Sequence, residues 1–296
     1  MSCRVAVVAN PAKVADLAEL KSAVAQRCGG EFGWWETTVE DPGAGQARAA
    51  LADGAELVLV CGGDGTTAAC AGALADTGVA MALVPSGTGN LLARNLDLPL
   101  ELPASLDIAF GEHERRLDVL DTGELRYVVM AGLGFDAALI RDTDEKLKAR
   151  VGWLAYLGGL RRAIKARRRT QYLISIDDQP AVRRRAIGVL VANVGQLQGG
   201  ITLLPDARPD DGELDVITLS PRSAVDWPVL IGRILGRRPD SGRQADTWRG
   251  RTVRISAGHP VPFEYDGDFI GERSELAVEV LPGALRLRCP APAVTS

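Results

Sequence analysis

The stretch Val60-Cys-Gly-Gly-Asp-Gly-Thr-Thr67, with Pro85-Ser-Gly-Thr-Gly-Asn90 after it, decides the reading of this chain. Each glycine cluster follows a short apolar run, Glu56 to Val60 and Val79 to Val84. Each also opens a segment of helical character, Ala68 to Ala75 and Leu91 to Leu96. Strand, glycine turn and helix, twice in succession, is how a parallel sheet builds a phosphate cradle. Glycine lets the backbone approach an anion, and a helix N-terminus offers unpaired N–H groups at the positive end of its dipole. Gly62, Gly63, Gly65, Gly87 and Gly89 supply the backbone, and Thr66 and Thr88 add hydroxyls suited to a cap or a phosphate.

Outward from these turns, the alternation of strand and helix runs from Arg4 to about residue 100. Arg4 to Ala9 reads as a buried strand and Val14 to Cys28 as a helix stopped at Gly29-Gly30. A second strand covers Glu31 to Thr38, and a helix running through Leu51 closes at Asp53-Gly54. This grammar predicts a parallel, Rossmann-like sheet with helices on both faces, its ligand at the carboxyl ends of the strands. After Leu117 the pattern changes to short strands separated by turn dipeptides, Asp177-Asp178, Asp211-Gly212, Asp266-Gly267 and Pro282-Gly283. The strands cover 125–131, 171–177, 186–193, 213–219, 252–257, 261–265, 275–281 and 284–288. Two helices, Asp144 to Arg167 and Ser223 to Gly236, interrupt them. The expectation is a nucleotide-binding α/β domain over 1–117 and a mostly antiparallel β-sandwich domain over 118–296, with the active site in the cleft between. The last strand is a candidate to return to the first domain.

Composition fits this picture. A chain of 296 residues has a prior of two domains, and 46% hydrophobic with 24% charged residues is ordinary for a soluble globular protein. A net charge of −4 carries no nucleic-acid signature. The five cysteines are scattered without metal-ligand spacing and read as reduced thiols of a cytosolic protein. No apolar run approaches the ~18–20 residues that span a bilayer, and the N-terminus is already strand. The expected location is cytoplasmic, with any membrane contact peripheral at the inner face. The oligomeric state is open, a homodimer included.

Several chemistries drop out. No Gly-x-x-x-x-Gly-Lys-Ser/Thr occurs, and no Gly-x-Gly-x-x-Gly follows the first strand. His113 and His259 sit in no triad context. Neither glycine turn contains lysine, so phosphate charge would fall to backbone N–H groups and a bound Mg²⁺.

Taken together, Val8-Ala-Asn-Pro11, Gly62-Gly-Asp-Gly-Thr66 and Pro85-Ser-Gly-Thr-Gly-Asn-Leu-Leu-Ala-Arg94 resemble the catalytic domain of diacylglycerol kinases. More closely, they resemble the soluble bacterial lipid kinases of that superfamily, which includes sphingosine kinases. The resemblance continues through Gly132-Leu-Gly-Phe-Asp-Ala137 and Leu204 to Asp215, and reaches Tyr265-Asp-Gly-Asp268. It implies phosphoryl transfer from ATP to a lipid hydroxyl such as that of diacylglycerol, giving phosphatidic acid or its analogue. A general base takes the hydroxyl proton, and Mg²⁺ and backbone dipoles hold the triphosphate.

The resemblance also implies site residues. The base falls on Asp268, one methylene shorter than the family's glutamate, with Glu272 as a fallback. Asp64 would organise Mg²⁺ near the first turn, and Asp118 would join the same acidic network. Leu91 stands where the family often has aspartate. The nucleotide would meet Asn10, Thr38, both glycine turns and Asn90. Lys13 would stand in for a missing serine contact, and Thr37 competes with Thr38. A structural Mg²⁺ would take Asp211 and the main-chain carbonyls of Arg208 and Glu213; its alternative is an Asp-Gly turn.

A basic amphipathic segment, Lys146 to Arg169, offers a route to anionic lipid, with Arg183-Arg184-Arg185 as an accessory patch. Two other functions stay in view: an NAD-kinase-like enzyme for a soluble metabolite, and a nucleotide-binding regulator without catalysis.

Overall fold

The structure is a computed structural model that describes residues 4–134, 169–197, 202–220, 245–266 and 268–291, with Asp268 given in its backbone alone. The helices expected over Asp144 to Arg167 and Ser223 to Gly236 lie outside the described residues, as does the basic segment up to Arg168.

Runs that are apolar throughout become strands buried on both faces, the mark of a parallel sheet. Strands β1 (Val5–Ala9), β2 (Gly33–Glu36), β3 (Leu57–Gly62) and β4 (Ala80–Pro85) pair in parallel in the order β2-β1-β3-β4. Successive side chains point to opposite faces, and the two sets pack on different helices. Val5, Val7, Leu57, Leu59, Ala80 and Ala82 meet α1 (Leu17–Cys28) and α5 (Leu102–Ala109). Ala6, Val8, Val58, Val60, Met81 and Leu83 meet α2 (Ala44–Ala52), α3 (Asp64–Leu74) and α4 (Leu91–Asn95).

The helix ends follow local chemistry. Asp16 caps α1 by accepting from the amides of Ala18 at 2.8 Å and Glu19 at 2.9 Å, and Gly29 ends it at φ 75°. The third helix begins at Asp64, inside the first glycine turn, earlier than the expected Ala68. The turn is therefore the helix N-terminus, whose first-turn amides have no intrahelical acceptor.

The remaining strands are β5 (Glu114–Asp121), β6 (Arg126–Tyr127), β7 (Met130–Leu133), β8 (Thr170–Ile176), β9 (Val182–Ala186), β10 (Gly188–Ala192), β11 (Leu214–Leu219), β12 (Ala245–Gly250), β13 (Thr252–Tyr265) and β14 (Asp268–Arg288). They pair antiparallel around a second core that includes Tyr127, Tyr172, Ile174, Val253 and Phe263. Two expected turns prove to be irregularities inside long strands. The register shifts between Ser256 and Val261 in β13, and between Leu281 and Leu285 in β14, where Gly283 takes φ 60°.

The parallel and antiparallel regions share one sheet, because β14 runs beside β4 in parallel through Arg286 and Leu287. The same strand pairs antiparallel with β5 and β13. Among the described residues no helix is long and apolar enough to cross a membrane.

Candidate active site

The two glycine turns meet backbone to backbone. A Cβ added to Gly87 would lie 2.6 Å from the Cα of Gly63, and one added to Gly63 would lie 3.3 Å from the Cα of Gly87. Only residues without side chains allow that approach. The amide of Ser86 donates to the carbonyl of Gly62 at 2.8 Å. Asp64 clamps the pair from the side: its carboxylate accepts from the amides of Asn90 at 2.9 Å and Leu91 at 2.5 Å. Asn90, held at φ 49°, closes the second turn on itself through both its amide atoms, accepting from the Gly87 amide and donating to the Gly87 carbonyl, each at 2.9 Å.

The other residues expected to meet the nucleotide fall into two groups. Asn10 ends β1 beside the first turn; its amide donates to the Cys61 carbonyl at 2.8 Å and its Nδ2 to Thr66 Oγ1 at 3.1 Å. Thr66 is 2% exposed, so its hydroxyl braces the turn from behind. Thr88 and Gly65 stay accessible at the tips. Thr38 is exposed and bonds within its own turn, donating its amide to the Asp41 carbonyl at 3.0 Å and accepting the Asp41 amide at 3.1 Å. Its neighbour Thr37 is buried and extends the sheet by donating to Ala9. Lys13 is exposed in the loop after β1.

From the antiparallel half, Asp266 is the residue whose carboxyl feels the charge of Asp64. Asp266 was passed over in the sequence, where Asp266-Gly267 read as turn chemistry. The structure places it in a buried site with φ 45°. Its amide donates to the Met130 carbonyl at 2.8 Å, and its Oδ1 accepts from the amides of Met130 at 2.9 Å and Val129 at 3.2 Å. The buried Oδ2 has no hydrogen-bond partner among the described residues. Burial pushes the Asp266 carboxyl up to about 7, with the negative charge of Asp64 adding to the rise. The two aspartates therefore face one electrostatic neighbourhood. The one sequence signal was positional: an aspartate before glycine, between strands, tolerates a positive φ. Asp268 opens β14 opposite Tyr265, and its side chain lies outside the described residues. Glu272 is exposed and four residues farther along an extended strand, roughly 13 Å away.

Asp118 belongs to a different cluster. It is 2% exposed, and its carboxylate accepts from the amides of Gly212 at 2.7 Å and Gly283 at 2.8 Å. Its own amide donates to Pro209 at 2.6 Å, and Asn193 Nδ2 donates to its carbonyl at 2.9 Å. Burial raises its pKa, opposed by the Gly283 and Gly212 amides, and the carboxylates next to it are Asp211 and Asp210 rather than Asp64. Asp118 fastens the 209–212 loop to β5. Where a structural Mg²⁺ was expected, Asp211 Oδ1 accepts the Glu213 amide at 3.1 Å and Oδ2 pairs with Arg249. Among the described residues no group of His, Cys, Asp and Glu is arranged to hold a metal ion.

Beside the second turn lies a cavity of about 630 Å³, lined by Thr88, Gly89 and Arg94 on one side and Gln196 and Leu197 on the other. Leu91, Leu98 and Leu100 complete its apolar wall. Asn95 and Gln196 fasten its two sides, with Asn95 Nδ2 donating to the Gln196 carbonyl at 3.1 Å and the Gln196 amide donating to Asn95 Oδ1 at 2.9 Å.

Paired glycine turns at the carboxyl ends of parallel strands, in a sheet continued by an antiparallel lobe, mark a kinase of the diacylglycerol kinase and NAD kinase class. Residues 4–122 match the diacylglycerol kinase catalytic domain, and residues 128–289 match the YegS C-terminal NAD kinase beta sandwich-like domain. The chain belongs to the YegS-like lipid kinase family. It is 34% identical over 280 residues to the Pseudomonas aeruginosa PAO1 protein described as "Probable lipid kinase YegS-like", covering 92% of this chain and 90% of that one. A Synechocystis protein, sll0036, is 24% identical over 250 residues, and this chain spans 56% of its length. In fold, a diacylglycerol kinase crystal structure from Bacillus anthracis Sterne matches with a TM-score of 0.78 at 22% identity, over 99% of this chain and 98% of that one. An ATP-bound NAD kinase from Archaeoglobus fulgidus matches with a TM-score of 0.53 at 12% identity, over 96% and 93%.

Proposed function

We propose that the chain transfers the γ-phosphate of ATP to the hydroxyl of diacylglycerol or a related lipid alcohol. The observation that carries this reading is the contact of the two glycine turns under the Asp64 clamp. The turns offer backbone donors to a triphosphate that arrives with its Mg²⁺. Asp266 anchors the turn on the 129–130 backbone, and Asp268, two residues on, is the base that takes the acceptor proton. The cavity beside Gly89 sets leucines against Arg94, Asn95, Asp97 and Gln196, a mixed lining that suits an acceptor with both an apolar and a polar part.

Radiolabelled ATP with diacylglycerol and other lipid alcohols in mixed micelles, beside NAD, tests the reading. Labelled lipid is the expected product. Labelled NADP would replace it with a metabolite kinase, and binding without transfer with a regulator. Within the leading reading, Asp268→Asn should lower turnover by about 10²–10⁴ while ATP affinity stays near wild type. Normal turnover in that variant would remove Asp268 from the role.

A further inference from the structure

We propose that Arg249 is a built-in counter-ion that closes the 208–215 loop in place of the divalent cation expected there. The argument begins with register. Arg249 on β12 stands directly across from Asp215 on β11, so its side chain is delivered to the loop by the sheet itself. Its Nε lies 3.1 Å from Asp215 Oδ1, its Nη1 lies 3.5 Å from Glu213 Oε2, and its Nη2 pairs with Asp211 Oδ2. One planar guanidinium thus uses three of its nitrogens on three carboxylates, a task suited to its fork of donors.

The charge is needed there. Asp215 has a side chain only 6% exposed, with its Oδ1 held against the Arg249 guanidinium. A carboxylate so placed is costly without an opposite charge. A Mg²⁺ ion seeks a shell of oxygen ligands. Here the one side-chain oxygen donor expected for it, on Asp211, is already engaged by a cation and by the Glu213 amide. A second cation would meet like charge. Closing the loop has a structural return: Pro209 and Gly212 are the groups that grip Asp118, so Arg249 positions a loop that ties β5 to β11.

This assignment goes beyond the kinase reading and does not depend on it, because its readout is the melting of the nucleotide-free protein. Thermal melts of the full chain are compared in EDTA and in millimolar MgCl₂. Wild type should melt within ~1 °C in the two buffers, and Arg249→Gln should melt about 5 °C lower in EDTA, the scale set by an orphaned buried carboxylate. A wild-type melt that drops by several degrees in EDTA overturns the proposal, as does Arg249→Gln melting like wild type there. Should Arg249→Gln fail to fold, Arg249→Lys carries the test. That variant keeps the charge without the fork, so EDTA-insensitive melting supports the proposal and EDTA-sensitive melting overturns it.

Discussion

Glu264 shows how a single side chain can set the pH response of this fold. It lies on β13 beside Gly132, is 8% exposed, and leaves its Oε2 buried without a hydrogen-bond partner among the described residues. Burial alone pushes its carboxyl from 4.5 up to about 7. Between those values the folded protein holds a proton that the unfolded chain has released, so stability falls as pH rises through the window and levels off above it. Asp266, raised to about 7 mainly by burial, adds a slope of the same sign. Replacing Glu264 by the similarly long, apolar methionine removes its contribution to that slope. The variant should match wild type near pH 4.5 and exceed it at pH 8 by on the order of 3 kcal/mol, at roughly 1.4 kcal/mol per pH unit. Chemical denaturation at the two pH values reads this directly. A gain that is equal at both would show that Glu264 does not titrate in this range.

At the level of elements, the glycine turns work because two strand ends can touch. Gly87→Ala would push a methyl group into the Gly63 backbone and against Asn90 Oδ1, 2.9 Å away, neither of which is a flexible chain end. Overpacking of this kind costs typically ~1–3 kcal/mol, here by parting the turns and withdrawing their amides from the phosphates. ATP affinity should fall by about tenfold or more, while Gly258→Ala, with open space around its Cβ, should bind ATP like wild type. Isothermal titration with a non-hydrolysable ATP analogue separates the two variants, and equal affinities would sink the close-contact argument. These turns were legible in the sequence because glycine spacing, flanking apolar runs and helix onset are all local signals. Asp64 was legible for its place, but its clamp on Asn90 and Leu91 was not, since that depends on how two crossovers align. Arg249 left no local trace, because its partners lie between 34 and 38 residues earlier and meet it only through the β11–β12 register. Pro282-Gly283 misled for the opposite reason. A turn dipeptide gives the same local signal whether it ends a strand or kinks one, and here β14 carries on through it.

The course of β14 matters most for the molecule as a whole. The segment that matches the catalytic domain ends at residue 122, yet its sheet is completed by residues from the far end of the chain. Leu285 and Leu287 are fully buried in the same core as Val58, Val60, Met81 and Leu83, and Arg286 pairs with Glu114 through Nη2 at 2.7 Å. Without them the exposed side of β4 is an unpaired edge, a template for association, and the core beneath it is open. A fragment of residues 1–127 should therefore aggregate or melt without cooperativity. Fusing residues 281–290 to its C-terminus through a flexible Gly/Ser linker should restore a single cooperative transition, because it returns the missing strand and two core leucines. Circular dichroism melts together with sedimentation of both fragments provide the comparison. A monomeric fragment 1–127 with a sharp melt would mean that the first lobe closes its own sheet, and that β14 binds the two halves without being needed by either.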